Sequence, residues 1–428
     1  MLTFITIIFV LGYLAIALEE LIEINKTASA LITGVLCWSV YVLMSNDSEL
    51  VVDQLSHHLG DISEILFFLL GAMTIVELID AHDGFAIITD RIKTTDPIKL
   101  LWIVCTLTFF LSALLDNLTT SIVMISLLRK ILPAGEARKI MAGMLIISAN
   151  SGGAWSPIGD VTTTMLWIGG QITAGTIIQT VIVPSLVSAI VPLLYVSFFM
   201  KGSFQSLTMQ FDADASAKNS DGVISRSEAT IMLVAGVLGL LFVPLFKTVT
   251  HLPPYMGMLL SLGALWVLSE LIHKDKDDMD KHPFTAAHAL TKIDTPSILF
   301  FLGILTAVGV LEVTHVLSDL AKQLDTLVGN QDVIVIIIGA VSAIVDNVPI
   351  VAAAMGMYDL ATFPTDSSLW RFLAYCAGTG GSLLVIGSAA GVAVMGIEKL
   401  DFIWYLKRIT LLALIGYLAG AGTYLLLN

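Results

Sequence analysis

Charge is scarce in this sequence of 428 residues, of which only 13% are Asp, Glu, Lys or Arg, whereas 56% are apolar. Several apolar runs reach the roughly twenty residues that a helix needs to cross a bilayer. The 35 acidic residues outnumber the 21 basic ones, so nothing in the composition supports nucleic-acid binding. The sequence therefore predicts an all-α polytopic membrane protein. We expect it to lie in the lipid bilayer and to bind no nucleic acid.

Cysteine is equally rare, and this scarcity bears on cofactors and catalysis. Cys37, Cys105 and Cys376 all fall in apolar segments, where they are expected to be small packing residues and not disulfide partners or metal ligands. The sequence contains no nucleophile beside a base and no metal-ligand cluster of catalytic spacing. We therefore expect no cofactor, and we do not expect an enzyme.

One polar pattern occurs twice within apolar segments. The first copy reads Ser-Ala-Leu-Leu-Asp-Asn at residues 112–117, then Ser-Gly-Gly at 151–153 and Asp160. The second reads Ser-Ala-Ile-Val-Asp-Asn at residues 342–347, then Thr-Gly-Gly at 379–381 and Ser388. A charged residue at the centre of a membrane helix costs about 2.5 to 3.5 kcal/mol, so such residues usually serve a transported ion or proton. The near-constant spacing, 230 residues from Asp116 to Asp346 and 228 from Gly152 to Gly380, indicates duplication.

The distribution of basic residues predicts the topology. Residues 100–130 have basic residues at both flanks, so the positive-inside rule favours a re-entrant hairpin that opens to the cytoplasm. Residues 140–170 contain glycine and proline at mid-length, which predicts a helix broken in the membrane. We expect about ten transmembrane spans, two of them broken, plus two re-entrant hairpins. This arrangement places 18 of the 21 basic residues inside and both termini outside.

The duplication divides the chain into two predicted repeats of opposite orientation. The first repeat covers residues 1–200, with an inward-opening hairpin at 100–130 and a broken helix at 140–170. A cytoplasmic linker follows at 201–228. The second repeat covers residues 229–428, with an outward-opening hairpin at 333–360 and a broken helix at 372–397. Inverted repeats whose broken helices meet at mid-depth are the architecture of secondary transporters.

These motifs resemble a known family. An Asn at each hairpin tip and a Gly-Gly pair in each broken helix, over nearly the whole chain, resemble the ion transporter superfamily. Its members include divalent anion/sodium symporters, arsenite permeases and NhaD-type sodium/proton antiporters. The symporter tips resemble Ser-Asn-Thr, whereas here Asp116 and Asp346 precede the Asn residues and place an anion where an anionic substrate would bind.

The NhaD type is therefore the closest resemblance. It implies exchange of Na⁺ or Li⁺ for H⁺ across a bacterial plasma (inner) membrane, and analogy with the symporters suggests a homodimer. The alternative is a Na⁺- or H⁺-coupled permease for an anion such as arsenite or a dicarboxylate.

The candidate cation site draws on the first copy. Sodium is a hard cation that prefers carboxylate, amide, hydroxyl and carbonyl oxygens. Asp116, Asn117, Ser151 and Asp160 are the predicted metal-binding residues. Acids that share a dry pocket titrate together, so Na⁺ and H⁺ would compete for them. The alternative is that Asp116 and Asn117 only cap a helix, and that Asp160 is a structural residue at a helix end.

Further polar residues have weaker roles in this prediction. We expect a second proton or cation site in the second copy. Three acids near span ends are possible proton-relay residues, although they could simply face interfacial water. His82 and His315 are expected to be exposed loop histidines, with pH sensing as the alternative. The second site comprises Asp346, Asn347, Thr379 and Ser388, and the relay acids are Glu77, Asp80 and Glu312.

Overall fold

The computed structural model describes residues 1–89, 91–92, 94, 96–199, 225–277, 281–344 and 346–428. These residues form helices and connecting loops, and no strand occurs among them. Within them, eight helices are long and apolar enough to cross a membrane, or nine if a bent helix pair is counted as one span. The predicted all-α polytopic membrane fold is confirmed.

The first half of the chain begins with a short apolar helix and contains one very long helix. Its helices are α1 (Leu2–Ala17), α2 (Glu19–Ile22), α3 (Lys26–Met44), α4 (Ser48–Ala81), α5 (Ala86–Thr89), α6 (Pro97–Leu115), α7 (Asn117–Ile131), α8 (Glu136–Ala154), α9 (Val161–Ile168) and α10 (Ala174–Phe199).

The second half has two short 3₁₀ turns, at His282–Phe284 and Val385–Gly387. Its α-helices are α11 (Arg226–Thr250), α12 (Pro254–Ile272), α13 (Ala286–Lys292), α14 (Thr295–Val313), α15 (Val316–Val328), α16 (Gln331–Val341), α17 (Asn347–Met357), α18 (Ser368–Gly380), α19 (Ala389–Glu398), α20 (Phe402–Arg408) and α21 (Thr410–Leu427).

Helix α4 is longer than the sequence predicts. Residues 46–61 are mostly polar, contain no Lys or Arg and follow an apolar run, a pattern that predicts a loop, but the helix already begins at Ser48. It starts there because the Asp47 side chain caps it, accepting a hydrogen bond from the Leu50 N–H at 3.0 Å. Asp53, His57 and Asp61 on its first turns are exposed. The expected loop is therefore a polar extension of the membrane helix.

The eight long helices differ from the expected ten spans for reasons of length and composition. Helix α1 has only 16 residues, and the second broken span consists of helices of 13 and 10 residues. In the first broken span, α8 has 19 residues but three charged ones among its first four, and α9 has only 8 residues. Conversely, α6 has 19 residues and passes as a span by length, although the sequence places it in a hairpin.

Most of the predicted linker at 201–228 lies outside the described residues. Its last part is not a loop, because α11 begins at Arg226. Ser225 and Glu228 form a capping box, in which each side chain accepts a hydrogen bond from the other's backbone N–H. This reciprocal cap fixes the start of the helix three residues before the predicted boundary at 229.

The helices pack so that both hairpins and both broken segments meet. Helix α6 packs against α8, and α16 packs in the same way against α18. The two helices α8 and α18 also pack against each other. On another side of the molecule, α3 packs between α1 and α14.

Two glycines allow each hairpin to touch its broken helix backbone to backbone. A Cβ added to Gly152 of α8 would lie 2.2 Å from the carbonyl oxygen of Phe109 in α6. A Cβ added to Gly380 of α18 would lie 2.0 Å from the carbonyl oxygen of Gly339 in α16. No side chain fits at either place, so the first glycine of each predicted Gly-Gly pair serves helix contact.

Candidate ion-binding site

The break between α8 and α9 places a carboxylate inside the protein. The chain leaves α8 after Ala154 and re-enters a helix at Val161, with Asp160 as the N-cap. Asp160 Oδ1 accepts hydrogen bonds from the backbone N–H and the hydroxyl of Thr162, both at 3.0 Å. Only 2% of Asp160 is exposed. Its charge therefore lies at a helix N-terminus, where the helix dipole favours an anion.

The tip of the first hairpin is a sharp turn at Asp116, between α6 and α7. Asp116 has a φ of 92°, which is unfavourable for any residue with a Cβ. Its carboxylate caps α7, accepting bonds from the Thr119 N–H at 2.8 Å and the Thr119 hydroxyl at 2.9 Å. The next residue, Asn117, is buried. The strained turn thus holds an amide, and not the Asp116 carboxylate, against Asp160.

Both hairpin tips reach the same carboxylate oxygen. Asp160 Oδ2 accepts a hydrogen bond from Asn117 Nδ2 at 2.9 Å and another from Asn347 Nδ2 at 3.4 Å. Asn347 starts α17, and like Asn117 it is only 4% exposed. Among the contacts of the described residues, neither amide oxygen accepts a hydrogen bond. One carboxylate and two side-chain amides therefore meet here, and carboxylate and amide oxygens are the ligands that a hard cation prefers.

A third amide extends this centre toward the other broken helix. Asn150 Oδ1 accepts a bond from Asn117 Nδ2 at 3.1 Å. Asn150 Nδ2 donates to the hydroxyls of Ser382 at 2.9 Å and Ser388 at 2.8 Å. Ser388 is the N-cap of α19, as Asp160 is of α9. A continuous hydrogen-bond network therefore joins the two breaks, and we call Asp160, Asn117, Asn347, Asn150 and Ser388 the amide centre.

Two further acids flank the amide centre. Asp116 and Asp346 both lie close enough to interact electrostatically with Asp160. Asp346 forms an ion pair with Lys26, with Nζ 3.1 Å from Oδ2. Asp116 has no ion-pair partner in the described part of the chain. The site thus carries more negative than positive charge, which suits a cationic cargo.

Two predicted site residues point elsewhere. The hydroxyl of Ser151 lies 3.4 Å from that of Ser188 in α10. The hydroxyl of Thr379 donates to the carbonyl of Tyr375 in its own helix at 2.6 Å. Neither hydroxyl has a hydrogen bond to Asp160, so only the backbone of these residues shapes the break.

The three predicted relay acids lie near helix ends, apart from the amide centre. Asp80 at the end of α4 and Glu312 at the end of α14 are exposed, and Glu77 is half-buried. No hydrogen bond or ion pair joins any of the three to the amide centre among the residues that the structure describes.

Sequence reasoning missed Asn150, Ser382 and the partner role of Lys26. At the repeat spacing of 228, Asn150 corresponds to Gly378, and Ser382 corresponds to Ala154. A search for positions that are polar in both copies therefore passes over them. The signal available was the presence of a buried amide directly before the first Ser-Gly-Gly.

The chain is similar to several known proteins over nearly its whole length. The chain matches the citrate transporter family (CitMHS) over residues 13–378, a range that includes both hairpins. Sodium/proton antiporter 1 and Sodium/proton antiporter 2 of Arabidopsis thaliana are 49% and 46% identical to it. Each alignment covers 98% of this chain, with 71% and 98% of the respective relative.

A bacterial relative aligns over a similar range. The Na(+)/H(+) antiporter NhaD of Vibrio cholerae is 30% identical over 99% of this chain and 91% of its own length. The predicted resemblance to the NhaD type is confirmed, and the chain belongs to the citrate transporter family, in the group that contains the NhaD-type antiporters.

Proposed function

We propose that the protein is a secondary active transporter that exchanges Na⁺, or Li⁺, for H⁺ across the membrane. The observation that carries the proposal is the buried Asp160 carboxylate, which receives Asn117 and Asn347 from two separate hairpin tips. Relatives named as sodium/proton antiporters support the same reading.

The chemistry of exchange follows from burial of the charge. An ionised carboxylate in a water-poor interior is costly unless a cation or a proton neutralises it. Asp160 in the empty, charged state therefore resists reorientation across the membrane, whereas the Na⁺-bound and protonated states reorient. When Na⁺ enters, it replaces the amide N–H groups as the partner of Asp160 Oδ2, and the amides of Asn117 and Asn347 can turn their oxygens to the ion.

The flanking acid allows more than one proton for each cation. Asp116 interacts with Asp160 and lacks a basic partner in the described structure. Both carboxylates can therefore release a proton when one Na⁺ binds. We propose that exchange is electrogenic, with more than one proton moved for each Na⁺, and that it is driven by the proton gradient. Ser151 and Thr379 contribute backbone carbonyls at the breaks.

We also propose the setting in which this exchange takes place. Both termini lie outside, because this orientation leaves 18 of the 21 basic residues on the cytoplasmic side. The membrane is a bacterial plasma membrane, as the NhaD-named relative supports; the two Arabidopsis relatives make a plant membrane the alternative. The protein acts as a homodimer without a cofactor, and it is a carrier and not an enzyme.

Proteoliposomes test the proposed exchange directly. Purified protein is reconstituted with an internal pH dye, an acid-inside gradient is imposed, and Na⁺ is added outside. We expect Na⁺ and Li⁺ to make the interior more alkaline with the native protein, and K⁺ to have no such effect. Asp160→Asn should abolish the response, whereas Asp319→Asn, at a surface ion pair with Lys322, should keep it. A native protein that gives no Na⁺ response would rule out exchange.

Anion transport is the second candidate function, because the matching family is described as a citrate transporter. The tip aspartates oppose it, since Asp116 and Asp346 place negative charge beside the amide centre, where a carboxylate substrate would bind. Uptake of labelled citrate and arsenite into the same vesicles separates the two functions. Anion uptake without a Na⁺-triggered pH change would replace the antiporter proposal.

A further inference from the structure

The aspartates at the two hairpin tips have different electrostatic partners. Asp346 Oδ2 lies 3.1 Å from Lys26 Nζ, and these side chains are only 12% and 24% exposed. Asp116 occupies the corresponding place in the first hairpin, but its carboxylate interacts with the N–H and hydroxyl of Thr119 and the N–H of Leu118, and it forms no ion pair among the described residues. The two copies of the Asp-Asn motif therefore have the same sequence but differ in the charge around them, because only Asp346 is paired with a lysine.

Lys26 is held by helices outside the hairpins. It is the first residue of α3, which packs against α1 and α14. The ring of Phe300 in α14 lies 4.7 Å from Lys26 Nζ and provides a cation–π contact. The backbone N–H of Lys26 donates to Glu19 at 2.9 Å. The ammonium group donates to Asp346 at 3.1 Å, and the charges of Glu19 and Asp294 have smaller electrostatic effects on it.

The ion pair also lies next to the cargo-binding atoms. Asp346 directly precedes Asn347, whose amide reaches Asp160 Oδ2 at 3.4 Å. Without Lys26, Asp346 would be a third unneutralised carboxylate near Asp160 and Asp116, and a second cation would be the simplest way to neutralise it.

We propose that Lys26 is a fixed counter-cation for the second hairpin tip: its ammonium group fills the place at Asp346 that a transported cation would otherwise take. Cargo then binds at Asp160, with Asp116 beside it, and not at Asp346, so that one Na⁺ is bound in each cycle. Lys26 acts through Asp346 and is a positioning residue. This inference rests on the proposed exchange of Na⁺ for H⁺ and specifies how many cations the site accepts.

Four variants test the counter-cation. The Na⁺ dependence of exchange is measured in proteoliposomes for the native protein, Lys26→Gln, Lys26→Arg, Asp346→Asn, and the double variant Lys26→Gln with Asp346→Asn. We expect a Hill coefficient near one for the native protein. Lys26→Gln should raise the Hill coefficient above one. It should also lower the half-saturating Na⁺ concentration by about tenfold, the scale of a close charge pair, because it removes a positive charge beside the site. Lys26→Arg and the double variant should both restore the native Na⁺ dependence.

The remaining variants keep the test decisive. Asp346→Asn alone removes the carboxylate 3.1 Å from the ammonium group, leaves a positive charge at the second hairpin tip, and should weaken Na⁺ binding, even if Lys26→Gln does not fold. Lys322→Gln, at the exposed pair with Asp319, should leave Na⁺ dependence unchanged. If Lys26→Gln lowers only the maximal rate, and the double variant does not recover, the pair is a structural brace and the inference is wrong. Absence of exchange in the native protein would instead refute the proposed function itself.

Discussion

The two carboxylate oxygens of Asp160 have different hydrogen-bond partners. Its Oδ1 caps α9 through Thr162, while its Oδ2 receives the amides of Asn117 and Asn347. The sequence offered helix capping and ion binding as competing explanations for acids near the breaks. For Asp160 the structure makes them compatible, because the cap uses Oδ1 and leaves Oδ2 for the cation that we propose.

This division predicts that charge and capping can be separated by mutation. Asparagine caps a helix about as well as aspartate, so Asp160→Asn should change the free energy of unfolding by less than about 1 kcal/mol while it abolishes exchange. Asp160→Ala should lose the cap as well and destabilise the protein by a further 0.5 to 2 kcal/mol, roughly the usual cost of a lost cap. Thermal unfolding in detergent and vesicle exchange measure the two effects. Equal destabilisation by both variants would show that Asp160 does not act as a cap.

The residues of the site could be predicted only in part. Asp116, Asn117 and Asp160 stand out because charged and amide groups are rare in apolar segments. Asn150 does not, because it has no polar counterpart in the second copy. Lys26 can be recognised in the sequence only as one of the basic residues near a membrane surface. Its side chain contacts Asp346, which lies 320 residues later in the sequence, and no local sequence pattern predicts that contact.

At the scale of helices, the sequence predicts where a membrane helix is interrupted, but not where a helix begins or ends outside the membrane. Glycine and proline within residues 140–170 require an interruption, and α8 does end at Ala154, inside that range. The start of α4 was misjudged because its first turns are polar, and hydropathy reports which residues face lipid, not where a helix begins. Helix ends outside the membrane depend on caps such as Asp47 and Ser225.

The close contacts of the hairpins predict sensitivity to a single methyl group. Gly152→Ala and Gly380→Ala each push a Cβ against a backbone carbonyl, which cannot move aside as a flexible side chain would. We expect each to destabilise the protein by about 1 to 3 kcal/mol, the usual cost of overpacking. Thermal unfolding of the purified variants measures this.

A glycine in open space provides the matched control. A Cβ on Gly396 of α19 would meet nothing within 4 Å, so Gly396→Ala should leave stability unchanged or raise it by up to about 1 kcal/mol. If Gly152→Ala and Gly380→Ala are tolerated as well as Gly396→Ala, the hairpins do not pack on the broken helices as described.

At the scale of the whole molecule, a histidine pair joins the two halves. His82 follows α4 and His273 follows α12, and their Nε2 atoms are 3.0 Å apart. His82 was expected in an exposed loop, but it is fully buried, whereas His315 is exposed as predicted. The Leu78 carbonyl can only accept, so His82 Nδ1 donates to it at 2.7 Å, and the neutral His82 Nε2 accepts from His273.

This pair predicts how stability depends on pH. Burial lowers the pKa of His273 to about 4, with a smaller effect from Lys276, and burial also lowers the pKa of His82. The unfolded chain, with an ordinary histidine pKa near 6.5, therefore binds more protons than the folded protein between about pH 4 and 6.5. Stability should fall as the pH drops through this window, by at most about 1.4 kcal/mol per pH unit for each histidine.

Thermal unfolding in detergent at pH 5.0 and 7.5 measures the contribution of the pair. The native protein should lose more stability on acidification than His273→Phe, which retains the stacking with the nearby Phe284 ring but cannot titrate. The exposed His57 provides the control, because His57→Phe should keep the native pH dependence. The same pH dependence in His273→Phe and in the native protein would show that the pair does not stay neutral in the fold.

The account as a whole rests on competition between Na⁺ and H⁺ for Asp160, and proton release on Na⁺ binding tests this most directly. Calorimetric titration of Na⁺ into the purified protein, in two buffers of different protonation enthalpy, gives the number of protons released for each Na⁺ bound. We predict at least one proton released by the native protein, and neither binding nor release by Asp160→Asn. Na⁺ binding without proton release, or unchanged release by Asp160→Asn, would contradict the account.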